Sequence, residues 1–181
     1  MFESILAEQI RIGAGDECNL TTKSSIAHLM SRVGRKDDAL AMQREVYAQE
    51  VSLIGKQDTR NIDTALNLAD MLIGNQDFAE ALSLLRETIE VSRTVVGPEE
   101  YVKFRLVATY GEATLLASRA NPSADIFSDI FYAEKLLGED AENARRVLGP
   151  TKDIVVNMHR DLTVLRKLIA HLRAARSSKT P

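Results

Sequence analysis

Ser24, Ser25 and His28 lie close together, and Ser24 and His28, four positions apart, share one face of a helix. A serine beside a histidine is the beginning of a base-activated nucleophile, in which the imidazole takes the hydroxyl proton. That chemistry also needs an orienting acid and a turn of donors for the developing oxyanion. Neither accompanies these residues, so they read as a polar helix face. The other histidines, His159 and His171, form no pair at zinc-ligand spacing. Gly13-Ala14-Gly15 runs into Asp16 and Glu17 instead of the Gly-Lys-Ser/Thr that cradles a phosphate, and reads as a linker. Cys18 follows Glu17, an acidic neighbour that disfavours a thiolate. Glu99-Glu100 and Glu139-Asp140 read as helix-start or helix-surface carboxylates. No catalytic residue, metal or cofactor is therefore expected. An all-helical hydrolase is the remote alternative.

The composition points to helices as the elements that carry these side chains. The chain has 181 residues, 45% hydrophobic and 27% charged, with a net charge of -3. Aromatics are 5%, there is no Trp, and Gly and Pro number 9 and 4, too few for a turn-rich β fold. Its length allows one domain or a short array. A single cysteine cannot build an intrachain disulfide framework and fits a reducing compartment. Met1 to Ile12 carries Glu3, Glu8 and Arg11 among its apolar residues, unlike a secretory leader. No window approaches the ~20 apolar residues of a membrane span. The expectation is a soluble, cytoplasmic protein with no membrane contact.

A repeat runs through the chain. Ile12-Gly13, Ile54-Gly55, Val96-Gly97 and Leu148-Gly149 place their glycines 42, 42 and 52 residues apart. A shift of 42 superposes Ala39-Leu40 on Ala81-Leu82 and Arg44-Glu45 on Arg86-Glu87, and a further 52 carries Ala81 to Ala133 and Leu84-Leu85 to Leu136-Leu137. The ten extra residues are expected as a lengthened loop near 117–126, where Ser118, Asn121, Pro122 and Ser123 cluster. Within a unit, Ile62, Ala65, Leu66, Ala69 and Leu72 mark one helix, and Phe78, Ala81, Leu82, Leu85, Ile89 and Val96 mark a second. Gly97-Pro98 and Gly149-Pro150 are expected to end helices with a left-handed residue and a Pro that cannot continue them. A helix pair cannot bury its apolar stripe alone, so this period predicts an all-α stack of antiparallel pairs, an α-solenoid.

The unit resembles the tetratricopeptide repeat, and its 42-residue period is most similar to the repeats of the kinesin light chain family. That pattern sets a Gly five residues before a small residue, an aromatic three before it, and a Leu/Val-Gly sixteen after it. Gly34 stands before Ala39, Phe78 before Ala81, and Gly55, Gly97 and Gly149 close the units, while Lys36 replaces the aromatic and Gln76 the Gly. Asn67-Leu68-Ala69 is similar to a run in the family's first helix. The resemblance implies a right-handed superhelix whose first helices line a concave groove that binds a peptide or partner helix. Registering on Asn67, the groove residues are Asp63, Leu66, Asn67, Asp70 and Ile73. Their counterparts are Thr21, Ser24, Ser25, His28 and Ser31 in the preceding unit and Arg105, Ala108, Thr109, Glu112 and Leu115 in the following one. Asp63, Leu66, Asn67, Asp70, Arg105, Thr109 and Glu112 are the candidates. Asn67 suits a peptide backbone because its amide both donates and accepts. Asp63, Asp70 and Glu112 suit a basic segment and Arg105 a carboxylate.

The expected organisation is one repeat domain over 1–176: a partial repeat or capping helix at 1–13, repeats at 20–55, 61–97 and 102–149, a capping helix at 153–176, and a frayed tail at 177–181. Phe2, Ile5, Leu6, Ile10 and Ile12 correspond to the end of a second helix without its first, as in the later part of a longer array. Asp153 is expected to cap the last helix, in which Met158, Leu162, Leu165, Ile169 and Leu172 form a heptad seam. That seam covers the last repeat, or, in the oligomerisation alternative, pairs with a second copy. Six cations between Arg160 and Pro181 against Asp161 alone are expected to complement the helix dipole, the alternative being contact with an acidic partner, nucleic acid or a membrane surface; the acidic chain and the lack of interleaved aromatics favour the first. The functional expectation is a non-catalytic scaffold for a protein or peptide partner.

Overall fold

The computed structural model describes residues 16–97, 99–121 and 126–177, together with Ser4. These form seven helices and no strand: α1 (Asp16–Arg32), α2 (Lys36–Ile54), α3 (Thr59–Gly74), α4 (Phe78–Val95), α5 (Tyr101–Ala120), α6 (Ile126–Leu148) and α7 (Asp153–Ser177). Gly13-Ala14-Gly15, the expected helix at 1–13 and the tail beyond Ser177 lie outside the described residues, as does the side chain of Cys18. The chain divides into two compact units, Met1–Leu84 and Leu85–Pro181.

In the first unit α1 packs on α2, and α2 on α3. The apolar stripe of α3 explains both its helical form and its burial: Ile62, Ala65, Leu66, Ala69 and Leu72 recur at three- and four-residue spacing and are all buried. Asp58, in extended backbone, caps the helix by accepting from the Arg60 amide at 3.0 Å. Ala27, Ala39, Leu40, Leu68, Met71, Leu72 and Ala81 close the core. Two turns of one kind reverse the chain. After α1, Arg35 N donates to Met30 O (3.0 Å) and Gly34 N to Ser31 O (3.1 Å); after α3, Asp77 N donates to Leu72 O (2.9 Å) and Gln76 N to Ile73 O (3.0 Å). Both are Schellman turns, which require a positive φ at the second-last residue. Gly34 meets that requirement at φ 89°, and Gln76 does so at φ 66° against the preference of an L side chain.

In the second unit α6 packs on α5 and α7, and α7 also touches α5. A side chain at Gly111 would bring its Cβ to 2.7 Å from Leu137 Cδ1, so the glycine sets the close approach of α5 and α6. The heptad seam is spent inside the unit: Met158, Leu162, Leu165 and Ile169 are buried and Leu172 is half-buried.

Three local expectations are corrected. Residues 117–120 are not loop but the last turn of α5, because Ala117 continues its buried stripe. The added length lies mainly in helix: α5 and α6 have 20 and 23 residues, against 16 and 18 in α3 and α4. Residues 122–125 lie outside the described residues. Gly97 is not left-handed, unlike Gly149 at φ 89°; its carbonyl instead accepts from Glu100 N at 3.2 Å. Asp153 is the first residue of α7, where its carboxylate meets the positive end of the helix dipole from within the first turn.

Candidate functional site

A cavity of about 360 Å³ opens in the first unit among α1, α2 and α3. Helix α1 contributes Leu20, Thr21, Ser24 and Ser25; α2 contributes Val46, Glu50, Leu53 and Ile54; α3 contributes Arg60, Asp63, Thr64 and Asn67. One wall is therefore apolar, and Leu53 is half exposed along it.

Ser24 and Thr64 of the lining are tied together by a buried hydrogen-bond network. Gln43 is completely buried in α2; its Oε1 accepts from Ser24 Oγ at 3.0 Å, and its Nε2 donates to the Thr64 carbonyl at 3.4 Å. One buried amide thus joins all three helices. Ser25 Oγ donates to the Thr21 carbonyl at 3.0 Å. Arg60 is held in a fork by Asp58, Nε to Oδ1 at 3.0 Å and Nη2 to Oδ2 at 3.1 Å. That guanidinium holds the Asp58 carboxyl below its usual range, first through the side-chain hydrogen bond and then through the Arg60 amide. Elsewhere between α1 and α2, Lys23 Nζ donates to Glu45 Oε1 at 2.9 Å, which likewise lowers the Glu45 pKa. Glu50 differs from all of these: its Oε2 is buried and accepts no hydrogen bond.

Among the expected groove residues, Asp63 and Asn67 reach this cavity, where they join Thr21, Ser24 and Ser25 from the corresponding positions of α1. Leu66 is corrected: it is fully buried, because it lies on the core side of α3 between Ile62 and Ala69. Asp70 is exposed on α3 outside the cavity lining. In the second unit Arg105 and Thr109 are half-buried and Glu112 is exposed on α5; the Arg160 pKa on α7 is raised first by its hydrogen bond to Asp161, then by the charge of Asp161, and least by Glu112. Ser24 spends its proton on Gln43 while His28 is exposed on the same helix. No group of three or more His, Cys, Asp or Glu suited to a metal exists among the described residues.

The groove positions that the sequence points to lie on first helices, so the α2 residues of the lining are not among them. A signal was present: Ala39, Gln43, Val46, Glu50 and Leu53 step by 4, 3, 4 and 3, so Gln43 and Glu50 are polar interruptions of an apolar stripe.

The second unit has a polar cluster of a different kind. Asp129 Oδ1 accepts from Tyr110 OH and from Arg86 Nη2, each at 2.5 Å, and Arg86 also donates to Tyr110 OH at 3.0 Å. Tyr132 donates to Glu90 Oε1 at 2.5 Å, meets Tyr110 edge to face at 5.4 Å, and carries Arg86 over its ring at 4.7 Å. Burial, reinforced by Asp129, raises the Tyr110 pKa; burial and then Glu90 push Tyr132 up to about 12. Its members satisfy one another, so it is a clamp between α4, α5 and α6. Asp140 is similarly committed: expected on the surface, it is buried and paired with Lys103 at 2.9 Å.

Residues 62–99 match the model of the tetratricopeptide repeat family. No curated protein matches the chain. Among solved structures, it is similar to a kinesin light chain-type protein of Podosopora anserina with nearly identical tetratricopeptide-like repeats. A single-residue variant of that protein gives a TM-score of 0.72 at 15% identity, over 97% of this chain and 79% of that one. A second structure of the same description, with no substitution named, gives 0.68 at 15% identity, over 99% of this chain and 85% of that one. At this identity the likeness shows the fold, an all-α solenoid of helical repeats.

Proposed function

We propose that this chain, a helical-repeat protein with a tetratricopeptide repeat over residues 62–99, is a non-catalytic scaffold that holds an extended segment of a partner protein in the cleft among α1, α2 and α3. Repeats of this type generally serve protein–protein interaction, and one observation carries the finer reading. Thr21, Ser24 and Ser25 of one helix and Asp63 and Asn67 of another line a single open cavity beside apolar Val46, Leu53 and Ile54. An extended segment has unpaired backbone amides and carbonyls as well as side chains to bury. Asn67 answers the first need, since one amide pairs with both backbone groups, and the apolar wall answers the second. Asp70 in the first unit and Arg105, Thr109 and Glu112 in the second are proposed as further peptide contacts.

Other partner classes are less well supported. An acidic chain with carboxylates at the cleft does not favour nucleic acid or anionic lipid. No helix among the described residues is long and apolar enough to cross a membrane. A cytoplasmic location is proposed on the sequence argument from the single cysteine. Oligomerisation through Met158, Leu162, Leu165 and Ile169 would require uncovering side chains already buried in the unit.

Peptides selected from a display library against the purified chain test the reading. Replacing Asp63 and Asn67 together by Ala should weaken the selected peptides about tenfold, the worth of one or two lost hydrogen bonds, with helicity unchanged by circular dichroism. Undiminished affinity would remove the cleft as the binding site.

A further inference from the structure

We infer that the cleft among α1, α2 and α3 anchors a cationic side chain, a lysine or arginine of the bound segment, with Glu50 as its counter-charge; this rests on the reading of that cleft as a peptide site. Glu50 Oε2 is buried without a hydrogen-bond partner. Withdrawing a carboxylate oxygen from water is costly, and interiors rarely leave such an acceptor unmet. Glu50 lines the open cavity, so its carboxylate is placed to meet a donor that arrives with the ligand.

The repeat register shows how unusual this carboxylate is. Forty-two residues beyond Glu50 stands Ser92, and fifty-two beyond that stands Ala144, both buried. Ser92 satisfies itself by donating to the Ile89 carbonyl at 2.8 Å, and Ala144 has nothing to satisfy. The position is therefore a small seam position of the second helix, and in the first unit it carries a carboxylate with one buried oxygen that no donor meets.

Neighbouring groups define the chemistry of the missing donor. Ser24 has committed its single proton to Gln43 and Ser25 to the Thr21 carbonyl, so both hydroxyls turn only lone pairs to the cleft. Asp63 adds a second carboxylate. The cation in the described lining, Arg60, is chelated by Asp58 and offers no fork to a ligand carboxylate. Such an acceptor-rich site suits a group with several donors and a positive charge, an ammonium or a guanidinium. The apolar wall formed by Leu20, Val46 and Leu53 suits the methylene stem that carries it.

The test is a library of random nonapeptides panned in parallel on the intact chain and on its Glu50→Gln variant. On the native chain one peptide position should become enriched in Lys or Arg. The resulting synthetic peptide should bind Glu50→Gln at least about tenfold more weakly, and a version with norleucine in place of the basic residue should bind both proteins alike. The free Glu50→Gln chain should also melt no lower than the native chain, since the buried oxygen gives up no hydrogen bond of the fold; a carboxylate that the fold uses would melt lower when replaced. Selected peptides without a basic position, or an affinity within about twofold on Glu50→Gln, would overturn the cation anchor; in that event binding still sensitive to Asn67→Ala keeps the cleft. If no peptide is selected at all, the cleft reading fails and the anchor fails with it.

Discussion

Helix α2 of the first unit and helix α6 of the second follow one register, and each carries a buried carboxylate oxygen on its inner stripe. Asp140 of α6 occupies the position of Val46 in α2, and Glu50 of α2 occupies that of Ala144 in α6, one helical turn away. Lys103 closes on Asp140 at 2.9 Å, with both side chains largely shielded from water. The buried oxygen of Glu50 has no such partner. Position on an apolar stripe thus predicts burial, while the presence of an internal counter-ion separates a carboxylate that completes the fold from one whose buried oxygen the fold leaves unmet.

The largest expected effect follows from breaking the closed member of this comparison. Lys103→Met should strand Asp140 in the interior and lower unfolding free energy by about 3 kcal/mol in urea titrations, and adding Asp140→Leu should restore most of it. A loss no greater than that of an exposed ion pair, below about 1 kcal/mol, would place Lys103 and Asp140 outside the core electrostatics and weaken the contrast with Glu50. Next is Tyr110→Phe, which deletes the hydroxyl shared by Asp129 and Arg86 and should cost about 1–2 kcal/mol by the same measurement.

A smaller effect, of opposite sign, compares the two Schellman turns of the first unit. Gln76→Gly should raise stability by about 0.5–1 kcal/mol by relieving a positive φ that Gly34 adopts freely. Gly34→Gln should lose a comparable amount; equal melting temperatures for all three proteins would mean that the turn stores no strain. The smallest concerns pH. The Tyr132 pKa is raised from 10.0 to about 12, so its contribution to stability is complete below the unfolded value and is lost as pH rises through the folded one. Phenolate absorbance of the native chain minus that of Tyr132→Phe should therefore show this ring ionising near pH 12 in the folded protein, and a midpoint at the ordinary tyrosine value would refute its burial.

Much of this was readable before the fold. The 3.6-residue spacing of Ile62, Ala65, Leu66, Ala69 and Leu72 names both the helix and its buried face, because side-chain direction along a helix is a local property. The same periodicity assigns Leu66 to the core, and the family pattern that counted it among groove residues overrode that local rule. Asp63 and Asn67 were legible as outward positions of α3, and the 42-residue shift already paired them with Ser24 and Ser25. The lengthened helices α5 and α6 were not, because Ser118 and Asn121 look like loop residues until Ala117 is seen to be buried.

By itself the sequence determined the helices, their apolar faces and the repeat, since each depends on residues only a few positions apart or on identities recurring at a fixed interval. Tertiary structure alone decided which polar group meets which. Gln43 reaches Thr64, Lys103 reaches Asp140, and Glu50 Oε2 meets no donor, although both carboxylates interrupt a helix in the same way when read as letters. The physical reason is that a buried charge is satisfied or stranded by groups tens of residues away, and only the packing of one helix against another brings a counter-charge within bonding distance.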